Sequence, residues 1–302
     1  MNHTAKEQNP ARSIVTFLVL SLVFVYLVTR GEVLGQAAYD SLSFAASRLI
    51  PSMFLFAVFS KIAAALPLVS EKRGFRIMGY PLAALPALCI GLFTGFPMGA
   101  YAAKGLLDHG VLDEKRASHL AAFANNASLG FLLFTVAPLF DDPDAGWRLF
   151  SVGTVASLTV GALLAPKKAG PTVITPAETR PFFSLFCDAV ASSAAAMLTL
   201  TGYLTLFGVI AEALRLSSLP LPVITALLLL SEPCAAMRHL ATFPLPIALP
   251  LAAFSLGFSG LSILMQSMTV WQNRLPFWRL VTTRLMIGIL AAFLTVLSLK
   301  IL

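Results

Sequence analysis

Four short stretches interrupt an otherwise apolar chain with groups that can hold a polar solute. They are Thr94-Gly95-Phe96-Pro97-Met98-Gly99, Asn125-Asn126-Ala127-Ser128, Ser231-Glu232-Pro233-Cys234 and Gly257-Phe258-Ser259-Gly260-Leu261-Ser262, with Gln266 beyond the last. Asn, Ser, Thr and Gln offer neutral donors and acceptors. Glycine lets backbone approach closely, and proline removes a helix hydrogen bond. A break in a helix frees N–H groups at one end and C=O groups at the other, and a ligand can satisfy them. The candidate substrate-binding set is Gly95, Asn125, Asn126, Ser128, Glu232, Arg238, Ser259, Ser262 and Gln266. The plainer role of any single stretch is a kink or a close helix contact, since small and polar residues pack helices together in lipid. Four such stretches at matching positions of a repeat favour a binding site.

Glu232 is the most informative of these residues. It stands between long apolar runs, and an acid at the bilayer centre costs at least about 2.5 kcal/mol on insertion scales. Protonation, pairing with Arg238 or a bound coupling cation would each meet that cost. Arg238 and His239 either face an anionic solute or mark the return of the chain to the surface. Lys61 and Lys104 lie near the ends of apolar runs and suit snorkelling. Arg279 and Arg284 read as cytoplasmic anchors. Nothing in the chain has the spacing of an enzyme site. The histidines (His3, His109, His119, His239) are dispersed, and Cys89, Cys187 and Cys234 lack metal spacing and read as small packing residues. Paired aspartates occur only at Asp141, Asp142 and Asp144, as expected of a solvated turn. No metal, cofactor or catalytic group is expected.

The elements that position these groups must be membrane helices. Of 302 residues, 58% are hydrophobic and 12% charged, against about 25% charged in a soluble domain. Mean hydropathy is +0.84. A water-soluble fold could not cover so much apolar surface, so the lipid bilayer is the partner that solvates most of the chain. The net charge is +7, but the basic residues flank apolar runs, which suits control of topology rather than nucleic-acid binding. Apolar runs cover 13–29, 44–67, 81–107, 119–140, 147–166, 182–216, 219–240, 244–270 and 277–302. They show no period-two alternation, which excludes barrel strands.

The runs repeat. Leu120-Ala121-Ala122-Phe123 matches Leu251-Ala252-Ala253-Phe254, and the same offset places Ser128 on Ser259 and Trp147-Arg148-Leu149 on Trp278-Arg279-Leu280. The chain therefore divides into an N-terminal tail and first span (1–30), a first unit (31–166), a linker (167–180) and a second unit (181–302). With a cytoplasmic N-terminus, and with 81–107 and 219–240 as re-entrant hairpins, the basic clusters fall inside and Asp141, Asp142 and Asp144 outside. Each unit then crosses three times, so the two are inverted relative to one another, and the C-terminus lies outside. The expected fold is an all-α, multi-pass cell-membrane protein. It has one extra N-terminal span and two inverted repeats with interrupted helices, a plan common among secondary transporters.

At the interruptions the chain resembles a known family. Gly95-Phe96-Pro97-Met98-Gly99-Ala100 and Leu120-Ala121-Ala122-Phe123-Ala124-Asn125-Asn126-Ala127-Ser128 resemble the first half of the sporulation integral membrane protein YlbJ family. Gly260-Leu261-Ser262-Ile263 with Gln266 resembles its second half. The family belongs to the nucleoside-recognition, or Gate-domain, group. The resemblance implies a transporter-like protein of spore formers, linked to movement of dipicolinic acid. The expected function is alternating-access transport of a small polar or anionic solute, with proton or sodium coupling and a homo-oligomeric state both left open. The competing expectation is a non-transporting scaffold or assembly partner. A polar cavity ringed by all four interruptions would favour transport, and a dry, packed midplane the scaffold.

Overall fold

The computed structural model describes residues 10–65, 76–166 and 181–301. The basic stretch Glu71-Lys72-Arg73 and the 167–180 linker, both used above to orient the chain, lie outside the described residues.

Almost every described element is a helix. α1 (Pro10–Thr29) opens with proline at its first position, where the missing N–H costs nothing. The chain bends by 91° before continuing. α2 (Gly31–Phe44), a wide five-residue turn (Ala45–Leu49) and α3 (Ile50–Ala65) follow without a break. The expected boundary at residue 44 is therefore absent. The turn Met78-Gly79, both at positive φ (51° and 81°), closes a two-residue antiparallel pair of β1 (Arg76–Ile77) and β2 (Tyr80–Pro81).

Two short helices come next, α4 (Leu85–Phe93) and α5 (Met98–Asp108), packed on each other across the Thr94–Pro97 break. At 1.5 Å per residue α4 is about 14 Å long, roughly half a hydrocarbon core. α6 (Glu114–Phe123) starts on an Asp113 cap that accepts the Arg116 N–H at 2.8 Å. It unwinds at Ala124–Ser128 and resumes as α7 (Leu129–Phe131), carried on by irregular helical turns to Phe140. α8 (Pro143–Leu163) begins on the Asp142 cap and closes this half.

The second half opens with α9 (Phe182–Arg215), the longest helix at 34 residues. α10 (Leu221–Ser231) and α11 (Pro233–Leu240) meet at Glu232. α12 (Leu245–Phe258) and α13 (Gly260–Val270) meet at Ser259, and α14 (Phe277–Ile301) ends the chain.

The core lies where α14 packs on α12, α8 and α6, while α9 packs on α2 and α3. α12 and α14 approach so closely that a Cβ on Gly257 would sit 2.7 Å from the Gly288 Cα, the small-residue contact that membrane helices use in place of hydrophobic driving force. The outside is apolar: Phe17, Leu22, Phe183, Leu198 and Trp278 are all largely exposed. The buried residues are mostly apolar as well, but they include polar groups such as Asn126, Ser157, Gln266 and Arg284. That distribution is consistent with an all-α membrane protein.

Among the described residues three helical segments are long and apolar enough to cross a membrane: Phe182–Arg215, Leu245–Val270 and Phe277–Lys300. A fourth is counted if the bent pair Ile14–Thr29 and Gly31–Leu49 forms one span. The sequence reading asks for seven crossings. Of the three expected crossings outside this set, 119–140 is divided by its interruption into α6 and the short Leu129–Phe140 piece, α3 has only 16 residues, and α8 (Pro143–Leu163) is not among the helices that qualify.

Candidate functional site

The four interruptions pack together in two pairs. In the first half, α4 and α5 both press against the unwound strand of α6. A Cβ on Gly91 would lie 1.9 Å from the Ala124 carbonyl oxygen, and one on Gly99 would lie 2.0 Å from it. The Asn126 N–H donates to the Gly91 carbonyl at 2.9 Å. In the second half, Gly260 (φ +69°) sits against the α10–α11 break, where a Cβ would meet Pro233 Cδ at 2.8 Å and the Ser231 carbonyl at 2.9 Å. Ser255 Oγ donates to the Leu229 carbonyl at 3.1 Å and ties α12 to α10 beside that break.

A cavity of about 40 Å³ opens between the pairs. Phe96 reaches it from the first break, Ser128 from the second, and Glu232, Pro233 and Cys234 from the third. Ile263 and Gln266 reach it from the start of α13, just past the fourth. Leu49 and Met53, with Leu200 and Leu204 of α9, complete an otherwise apolar wall. Among the described residues Glu232 is the one charged side chain on that wall. Only 3% exposed, it caps α11, its Oε2 accepting the Ala235 N–H at 2.6 Å. The positive end of the helix thus offsets part of its charge. Ser128 caps α7 in the same way, accepting the Phe131 N–H at 3.1 Å. Gln266 Oε1 is buried without a hydrogen-bond partner.

The remaining candidates sit elsewhere. Gly95 (φ +94°) is a packing position, since a Cβ there would meet the Ser128 Cβ at 2.7 Å. Asn125 Nδ2 donates to Ser267 Oγ at 3.2 Å, joining the two halves. Ser262 is buried with its hydroxyl unpartnered, yet it does not line the cavity. Arg238 is neither on the cavity wall nor ion-paired with Glu232 among the described residues. Its guanidinium lies over the Phe44 ring, 5.7 Å from the centroid, where the ring face attracts it. Next to it, His239 Nε2 meets Thr225 Oγ1 at 2.9 Å and holds α11 to α10.

The largest correction concerns Arg284. The sequence reads it as a cytoplasmic anchor, but in α14 the side chain is only 1% exposed. It turns inward to the unwound ends of α6 and α12. Nη1 donates to the Phe123 carbonyl at 3.4 Å and to Asn126 Oδ1 at 3.2 Å. Nη2 donates to the Leu256 carbonyl at 3.4 Å and to Ser259 Oγ. Ser157 of α8 also donates to Asn126 Oδ1, at 2.7 Å. A guanidinium suits this place because its rigid fork reaches acceptors on two helices at once, and helix C-termini carry partial negative charge. Asn126 and Ser259 are therefore committed to Arg284 rather than to the cavity.

The lysines also have assigned places. Lys104 pairs with Asp108 at 2.5 Å, and Lys61 Nζ lies over the Tyr101 ring at 4.7 Å. Cys89 and Cys187 are exposed rather than packed. Tyr80 and His119, unremarked in the sequence, form a buried hydrogen-bonded pair beside Phe123. Among the described residues no cluster of three or more His, Cys, Asp or Glu is placed to hold a metal ion. Searches of family models, curated proteins and solved structures return no match to this chain.

Proposed function

We propose that this protein is a membrane transporter that moves a small polar solute by alternating access, with the cavity at Glu232 as the solute site. The observation that carries this reading is the convergence on one cavity of residues from three interruptions and from the start of α13, just past the fourth. Helix breaks are expensive in lipid unless they line a cavity or are buried in protein. The order of elements supports the inverted-repeat plan. A pair of half-helices, an interrupted helix and a closing helix occur as α4 to α8 and again as α10 to α14. In the proposed topology the Asp141 turn is extracytoplasmic and the half-helix pairs are re-entrant. The family resemblance puts the solute in a sporulation setting and names dipicolinate and nucleosides as its first candidates.

A second reading, the non-transporting scaffold, has its own support. Asn125 Nδ2, Asn126 Oδ1 and Ser259 Oγ are engaged within the protein, although Asn125 Oδ1 and Asn126 Nδ2 are buried without a partner. The cavity is also small beside the ~300 Å³ or more of a typical ligand pocket. Transport therefore requires the half-helix pairs to move apart, and the scaffold requires them to stay closed.

Counterflow in proteoliposomes separates the two. Purified protein is reconstituted and labelled dipicolinate or uridine is exchanged against an internal pool. Transport predicts uptake that Glu232→Gln and Ser128→Ala reduce at least about tenfold, the effect of about 1.4 kcal/mol lost from binding. No uptake of any solute, together with an α10–α11 break closed to thiol reagents at Cys234, would decide for the scaffold.

A further inference from the structure

The sign and donor balance of the cavity wall restrict what it can hold. We infer that the cavity takes a small primary ammonium, whose N–H groups are shared among Glu232, Gln266 and Ser128; this rests on reading the cavity as the solute site. Glu232 contributes a carboxylate with four lone-pair positions, some of them engaged by the Ala235 N–H and by the N–H and thiol of Cys234. Gln266 contributes an amide oxygen that is buried and has no partner. Ser128 keeps a second lone pair beyond its bond to the Phe131 N–H. An –NH₃⁺ group brings three donors and no acceptor, which matches a wall rich in acceptors. Among the described residues no basic side chain lines the cavity, and Arg238 lies over the Phe44 ring. The helix end, Cys234 and the nearby charge of Arg238 offset part of the acid, and a cation on the open side completes it where an anion is opposed.

The apolar part of the wall fits the rest of such a molecule. Phe96 and Phe131 present rings that attract cations, and Met53 and Leu200 surround an alkyl body. A volume of about 40 Å³ holds roughly three water-sized groups. Ethylammonium has about that number of non-hydrogen atoms and enters without rearrangement of the wall; longer alkylammoniums require the breaks to separate. An alkali cation is a poorer match, because hard cations seek six or so oxygen ligands and three side chains here supply oxygen.

Thermal unfolding of the full chain in detergent tests the inference directly. The additives are ethylammonium chloride, sodium chloride, sodium acetate and ethanol at equal concentration. Ethylammonium at about tenfold its dissociation constant is expected to raise Tm by about 3 °C, and the other additives by less than about 1 °C. Glu232→Gln keeps an acceptor for the α11 cap and should abolish the rise. Gln266→Glu adds a second acid to the wall and should enlarge it. Three results overturn the inference: an equal rise with acetate, no rise with ethylammonium, or a full rise in Glu232→Gln. If Glu232→Gln does not fold, a smaller rise in Gln266→Glu than in the unaltered chain does the same. The counterflow experiment keeps the two proposals apart. Uptake of dipicolinate without stabilisation by ethylammonium rejects the ammonium and leaves transport standing. Stabilisation without counterflow of any solute, ethylammonium included, keeps the binding site and rejects transport.

Discussion

Glu232 and Arg284 are both buried charges at helix breaks, yet they are solved in opposite ways. Glu232 sits at the start of α11, where free N–H groups point at it, and one side of its carboxylate faces a cavity. Arg284 sits against the ends of α6 and α12, where free carbonyls point at it, and protein encloses it. Each is matched to the sign of its helix end. The difference lies in how many partners each has. Arg284 holds two carbonyls and two side chains drawn from both halves of the chain. Glu232 is held by Ala235 and Cys234 and feels Arg238, all on its own helix α11, and it lines a cavity. A charge with every partner inside the protein is a clamp, and a charge with an open side is a place for a ligand.

Substitutions at the two positions should separate these roles. The largest effect is expected for Arg284→Met. It leaves acceptors on α6 and α12 unpaired and should cost about 3 kcal/mol of stability, read as a lowered unfolding midpoint in detergent. A loss under about 1 kcal/mol would show that Arg284 is not the clamp. Ser259→Ala removes one hydrogen bond to a charged group and should cost about 2 kcal/mol. Combined with Arg284→Met it should add almost nothing, because the two report one contact. Glu232→Ala removes the α11 cap and should cost about 1 kcal/mol. Glu232→Gln should change stability by less than about 0.5 kcal/mol while abolishing solute binding. The contrast fails if Glu232→Gln unfolds the protein as severely as Arg284→Met.

Much of the helical plan was legible beforehand. Apolar runs without alternation announced helices, and Pro97, Glu232-Pro233 and Ser259-Gly260 announced three of the four breaks. Those signals are local: proline and glycine change the backbone wherever they fall. The bend after α1 and the continuous course from α2 to α3 were not legible, because Gly31 and Gly35 lie within α2 without breaking it and residues 31–43 are too polar to register as a span. The site was half legible. Ser128, Glu232 and Gln266 do meet at one cavity, from residues up to 138 positions apart in the chain numbering (266 minus 128). Arg284 reads as an anchor in the sequence although it lies about two turns inside the apolar run 277–302, a depth at which an inward-facing charge is an alternative.

Composition and local pattern were enough to settle lipid as the solvent, helix as the element and the neighbourhood of each interruption, since these depend on residue type and nearest neighbours along the chain. They could not settle which polar side chains would be consumed inside the protein and which left for a ligand. That choice turns on distances between segments remote in sequence. It was made when close packing at Gly91 and Gly260 brought the breaks together, drew Asn126 and Ser259 to Arg284, and left Glu232 beside empty space.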